Sequence, residues 1–186
     1  KATLRTKAAA PATPDTCVLS SRTRTSLKIR WVAPDCCGSA IDSYEVSWCR
    51  AAEEQKDSEE EGNNVERERI YTVVGDWEDV KDALGAKDLN WQMKKLGPGQ
   101  HFGFRVRAAN AEGKSLWSPA AFYSTAASVP SAPECIKNVS ENNAHNTAGK
   151  LVLEWDTPSS NGEGITAYVL EQQGSGGAWE VAYNGP

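Results

Sequence analysis

Leu27-Lys28-Ile29-Arg30-Trp31-Val32-Ala33-Pro34 is the stretch on which the reading of this 186-residue chain turns. Apolar Leu27, Ile29 and Trp31 alternate with charged Lys28 and Arg30, the period-two pattern of a strand with one buried face. Pro34-Asp35-Cys36-Cys37-Gly38 supplies turn chemistry. A second alternating run then carries Tyr44, Val46 and Trp48 inward. The same text returns 124 positions later without a gap. Leu151, Leu153, Trp155, Pro158, Gly162, Ile165, Tyr168 and Leu170 take the places of Leu27, Ile29, Trp31, Pro34, Gly38, Ile41, Tyr44 and Val46. An ungapped repeat of strand, turn and strand means two copies of one β-domain.

Working outward, residues 14–20 carry Cys17 and Leu19 in alternation and suit an edge strand, where proline is tolerated. Residues 42–50 form the next strand. An acidic insert, residues 51–64 with Glu53, Glu54, Asp57, Glu59, Glu60 and Glu61, is too polar to bury and is expected as a solvated, mobile loop. Strand character resumes at 66–74 with Ile70, Val73 and Val74. Residues 76–84 are open between helix and strand. Trp77, Val80 and Leu84 share a helical face, yet Trp77-Glu78-Asp79-Val80 echoes the strand-like Trp179-Glu180-Val181. Leu89, Trp91 and Met93 alternate before the turn Leu96-Gly97-Pro98-Gly99. In residues 100–110, Phe102, Phe104, Val106 and Ala108 take one face and Arg105 and Arg107 the other. A turn at 110–113 and a last strand over 116–124 complete seven strands, the count and spacing of a β-sandwich.

This ordered set resembles the fibronectin type III family through Trp31, Pro34, Ile41, Tyr44, Leu96, Pro98, Gly99, Phe104, Val106, Arg107, Ala108, Asn110, Gly113 and Ser115. Trp155, Pro158, Asn161, Gly162, Ile165 and Tyr168 carry it in the second copy. The resemblance implies an all-β, immunoglobulin-like sandwich in tandem. Residues 1–13 are then a linker or disordered lead-in, 14–125 the first domain, 126–131 a linker, and 132–186 a second domain whose last strands are missing. Two departures stand out. The insert lengthens a normally short hairpin. Phe102 stands where the family has a tyrosine whose hydroxyl ties down the corner, so the corner is expected to rest on packing.

Chemistry is sparse. His101 beside the Pro-Gly corner and His145 in a polar stretch are expected as exposed loop residues, with no nucleophile motif near either. No C-x-x-C pair suggests zinc, no D-x-D-x-D-G loop suggests calcium, and the glycine clusters lack phosphate-loop spacing. Catalytic, cofactor and metal residues are therefore all read as none. A formal charge of −5 argues against nucleic acid as a partner, and no stretch is apolar enough to span a membrane. The five cysteines, Cys17, Cys36, Cys37, Cys49 and Cys135, are an odd number, and none falls in residues 27–31 or 102–108, the two facing strands on which an immunoglobulin domain carries its pair. They lean towards free thiols and an intracellular address. The sequon Asn138-Val139-Ser140 pulls the other way and leaves glycosylation of Asn138 open. Among seven tryptophans, Trp31 and Trp155 are core by phase, and Trp117 is expected to stack on Arg105 or Arg107.

The resemblance implies a non-enzymatic protein-interaction or spacer module from a larger multidomain protein, with a protein partner. Its binding residues are not specified by sequence, although loop 34–40 and turn 110–115 are the expected contact surfaces. The alternatives are an accessory module of an enzyme whose catalytic domain lies outside this chain, and a carbohydrate-binding module using exposed tryptophans. Without its last strands, copy two leaves Trp155 and Tyr168 half covered. Full burial of such a side chain is worth roughly 1.5–3 kcal/mol. In a proteolysis time course the second half is therefore expected to be cut faster than the first; equal resistance of both halves would count against an incomplete second core.

Overall fold

The computed structural model describes residues 7–55, 69–139 and 151–186, and every regular element among them is a strand. The chain groups into two units, one ending at Ala126 and the other starting at Ala127. Unit 1 contains β1 (Val18–Arg22), β2 (Ser26–Arg30), β3 (Ile41–Gln55), β4 (Arg69–Asp79), β5 (Leu84–Gly85), β6 (Asn90–Lys94), β7 (His101–Asn110), β8 (Gly113–Lys114) and β9 (Ala121–Ser124). One sheet has the order β1-β2-β6. The other runs β4-β3-β7-β8, with β5 also on β3 and β9 also on β7. With β5 taken as a continuation of β4, and β8 with β9 as one interrupted strand, the seven expected strands are present.

The alternation read from sequence decides what lies between the sheets. Leu27, Ile29 and Trp31 face Tyr44, Val46, Phe104, Val106 and Ala108, and all are buried. Trp31 meets Tyr44 edge-on at 5.6 Å. Trp48 and Trp91 are half-buried against this core, and the Trp91 indole N–H donates to Asp82 at 2.8 Å.

Several expectations change. β3 continues through Ala51 to Gln55, so the first part of the supposed mobile loop is strand; residues 56–64 lie outside the described residues. The cause is its partner. Ile70-Tyr71-Thr72-Val73-Val74 are all strong strand formers and pair with residues 50–54. Residues 76–79, open between helix and strand in the sequence, are strand, because Trp48 and Ser47 pair with Glu78 and Asp79 and occupy the backbone groups a helical turn would need. Gly75, at φ +85°, makes the bulge that permits this. The last strand is split. Between β8 and β9, the Ser115 and Ser118 hydroxyls accept from the N–H groups of Ala108 (3.0 Å) and Val106 (3.1 Å), standing in for ladder carbonyls.

The corner before β7 is hydrogen-bonded rather than only packed. Thr125 Oγ1 donates to the Gly97 carbonyl (2.8 Å) and accepts from Gln100 N–H (2.9 Å). Gln100 Oε1 accepts from Gly97 N–H at 2.9 Å. Phe102 is buried against Trp48 at 6.0 Å. The lead-in, too, is held where it is described. Ala9 N–H donates to the Cys37 carbonyl (3.0 Å), Ala12 N–H donates to the Asp35 carbonyl (2.9 Å), and Pro11 and Pro14 are buried.

Unit 2 contains β10 (Lys137–Asn138) paired with β11 (Leu153–Glu154), and β12 (Tyr168–Gln173) paired with β13 (Trp179–Gly185). It reproduces the first copy's local structure. Asn161 and Gly162 adopt φ of 52° and 103° where Cys37 and Gly38 adopt 51° and 88°. Ser128 and Ser131 donate to Asn161 and Ser159 as Ala9 and Ala12 do to Cys37 and Asp35. Trp155 meets Tyr168 at the same 5.6 Å.

One glycine reports on the outer face of the four-stranded sheet. A Cβ at Gly103 would lie 2.8 Å from both Cys49 Sγ and Phe122 Cε1. Gly103→Ala is therefore expected to destabilise unit 1 by about 1–3 kcal/mol, as overpacking does, read as a lower urea midpoint at unchanged slope.

Candidate functional site

Alternation along β3 and β7 sends a second set of side chains away from the core. The register pairs Glu45 with Arg107, Ser47 with Arg105, and Cys49 with Gly103. Ser47 and Cys49 are nonetheless as buried as core residues, because an outer layer covers them. Its members come from three elements. Trp77 arrives from β4 just past the Gly75 bulge. Trp117 arrives from the segment between β8 and β9, which Ser115 and Ser118 hold against β7 through N–H bonds to the Ala108 and Val106 carbonyls, both 2.8 Å. Arg105 and Arg107 rise from β7 itself.

These four form a ladder. The Arg105 guanidinium carbon lies 4.3 Å from the Trp77 ring centre and 4.6 Å from that of Trp117, and Arg107 lies 4.3 Å from Trp117. The expected stacking of Trp117 is present, and on both arginines. Each such contact contributes about 0.5–1 kcal/mol when exposed and more when desolvated. Both rings of this face are thereby stacked on arginine, while Trp179 of unit 2 is exposed.

The two arginines differ in charge balance. Arg107 donates through Nε and Nη2 to Glu45 Oε2 at 2.8 and 2.6 Å, and Lys114 Nζ reaches Glu45 Oε1 at 2.5 Å. Burial acts against the Glu45 carboxylate, but the hydrogen bonds from Lys114 and Arg107 and their positive charges together outweigh it. The carboxyl is held below its ordinary value. Arg105 has no carboxylate within ion-pair distance among the described residues, and its Nε is buried without a partner. Beside Glu45 opens a groove of about 650 Å³ lined in part by Asp79, Asp82, Leu84, Arg107 and Lys114.

Farther along the same face, Tyr71 stacks on Phe122 at 5.7 Å and tilts against His101 at 5.6 Å. His101 is thus not an exposed loop residue. It opens β7, is half-buried, and places Nε2 3.5 Å from Glu53 Oε2. His145 and Ser140 of the sequon lie outside the described residues. All five cysteines are free thiols, and burial pushes the Cys17 thiol up to about 11.

The loop end expected to make contacts is largely occupied by the chain itself. Asn110 Nδ2 donates to the carbonyls of Ala9 (2.9 Å), Cys36 (3.2 Å) and Ser39 (3.2 Å), closing residues 34–40 against the lead-in. Glu45 and Lys114 were not singled out by sequence, and Trp77 was read only for its place on a helix or a strand. The alternation of Glu45 and Ser47 opposite Arg107 and Arg105 was the available signal, but it needs the β3–β7 register to be read.

Residues 12–123 match the model of the fibronectin type III domain. Among curated proteins, fibronectin type-III domain-containing protein 3a of Gallus gallus is 33% identical over 123 residues, covering 61% of this chain and 10% of that protein. Fibronectin type III domain containing protein 3C1 of Mus musculus is 29% identical over 170 residues, covering 90% of this chain and 10% of its own length. The chain thus spans about a tenth of these relatives. Among solved structures, the FN1-FN3 domains of chicken CNTN1 superpose with a TM-score of 0.52 at 15% identity, covering 93% of this chain and 52% of that one, a likeness of fold.

Because the Glu45 carboxyl is held low in the folded state, its stabilising contribution is complete above the ordinary carboxylate value and lost as pH falls through the folded one. The stability gap between wild type and Glu45→Gln is accordingly expected to be widest near neutral pH and to close in acid. Urea titrations at a series of pH values would show a constant gap if the triad of Glu45, Arg107 and Lys114 contributed nothing.

Proposed function

The chain belongs to the fibronectin type III family, and on that footing we propose that it works as a docking module within a longer protein, holding a protein partner on the outer face of the β4-β3-β7-β8 sheet. The family is one of non-catalytic interaction and spacer modules, and the relatives matched are domain-containing and adhesion proteins. Among the described residues no helix is long and apolar enough to cross a membrane.

One observation carries the choice of face. Arg105 is a cation held between two indoles, without a carboxylate of its own among the described residues. Interface hot spots are enriched in tryptophan and arginine, and a side chain already immobilised loses little further entropy on binding. The arginine that has its own acid, Arg107, braces the ladder; the one that lacks it offers its outer N–H groups to an acidic group of the partner. The neighbouring groove beside Glu45 gives room for the rest of that partner's segment.

The test is cross-linking mass spectrometry on partners captured by the full chain. Cross-links are expected at Lys114, and Arg105→Glu is expected to lower capture at least tenfold in a chain that still unfolds cooperatively, at a midpoint lowered by the loss of its two indole contacts. Undiminished capture by a folded Arg105→Glu chain would remove this face from the interaction.

A further inference from the structure

The β4 edge carries a separate inference, independent of the ladder. β4 is the terminal strand of its sheet and, among the described residues, pairs only with β3. Its far side therefore presents a row of backbone donors and acceptors. Natural edge strands are guarded by lysine, proline, inward charges or brevity. Here Ile70-Tyr71-Thr72-Val73-Val74 contains neither charge nor proline, every residue is a strand former, and β4 is 11 residues long. Val73 and Val74 are 44% and 51% exposed. The guard comes only at the end of the run, where Gly75 turns the backbone to φ +85° and the register breaks.

The text of this edge is self-complementary. In an antiparallel pairing of two copies about Thr72, Ile70 faces Val74, Tyr71 faces Val73, and Thr72 faces itself. Cross-strand pairs of β-branched and aromatic residues are the ones that stabilise a ladder. A two-fold axis through Thr72 gives an isologous, closed contact rather than a growing fibre.

We propose that two copies of this chain associate through β4, joining their β4-β3-β7-β8 sheets edge to edge into one continuous sheet. The contact is one strand wide, smaller than a standard stable interface, so the dimer is a weak and concentration-dependent one. Net negative charge on both copies opposes it, and added salt strengthens it.

Sedimentation equilibrium of the full chain over a hundredfold concentration range tests this. A shift from monomer towards dimer mass is expected, greater at high salt. Thr72→Lys and Thr72→Glu each set like charges against each other at the axis and are expected to stay monomeric, while an equimolar mixture of the two regains dimer. The mixture also serves as the folding control, since only folded partners restore the pairing. A wild type monomeric throughout overturns the proposal. So does a dimer that survives Thr72→Lys, or a mixture of folded variants that stays monomeric.

Discussion

Everything in unit 1 depends on one backbone register, the antiparallel pairing of β3 with β7 from Ile41 opposite Asn110 to Ala51 opposite His101. Side chains alternate across a strand, so this single choice of partners arranges two layers at once. On one side it sets Tyr44, Val46 and Trp48 beside Phe104, Val106 and Ala108 under the indole of Trp31. On the other it sets Glu45 beside Arg107 and Ser47 beside Arg105. A slip of one residue would send the arginines into the core and the aromatics into water. The hydrophobic layer holds the register, and the polar layer depends on it.

The outer layer is unusual for a sheet face in being covered as well as charged. Ser47 and Cys49 are as dry as the core, yet above them lie two indoles, two guanidinium groups and a carboxylate. The device that assembles this is the interruption between β8 and β9. Two serine hydroxyls replace the missing ladder acceptors, so the chain stays against β7 while turning Trp117 over it. On the opposite flank a glycine bulge does the same for Trp77. Irregularities in two strands thus place the aromatic half of the surface, and a regular strand places the cationic half.

The repeat shows how much of this is local. Asn161-Gly162 takes the left-handed backbone of Cys37-Gly38, and the Trp155–Tyr168 pair keeps the spacing of Trp31–Tyr44. Even the docking of the segment ahead of each copy onto its turn recurs, through Ser128 and Ser131 in one and Ala9 and Ala12 in the other. Features built from neighbouring residues and one turn recur wherever the text recurs. The ladder draws on β4, β7 and the segment before β9, and it occurs in the first copy, where those elements converge.

The amino-acid sequence alone determined the fold class, the repeat, the inward residues of β2, β3, β6 and β7, and the pairing of Trp117 with arginine, because period-two alternation and turn residues act over a few neighbouring positions. It misjudged the first part of the acidic insert, where composition pointed one way and a cross-strand partner won, and it left residues 76–84 open between helix and strand. It also took Phe102 to leave the corner without hydrogen bonds, since Gln100 and Thr125 stand 25 residues apart and meet only in the folded chain. Trp77 over Arg105, Glu45 between Arg107 and Lys114, Asn110 locking the loop end, and the open edge of β4 were decided by tertiary structure. Each is a relation between strands distant in the text, and only the closing of the sheet makes them neighbours.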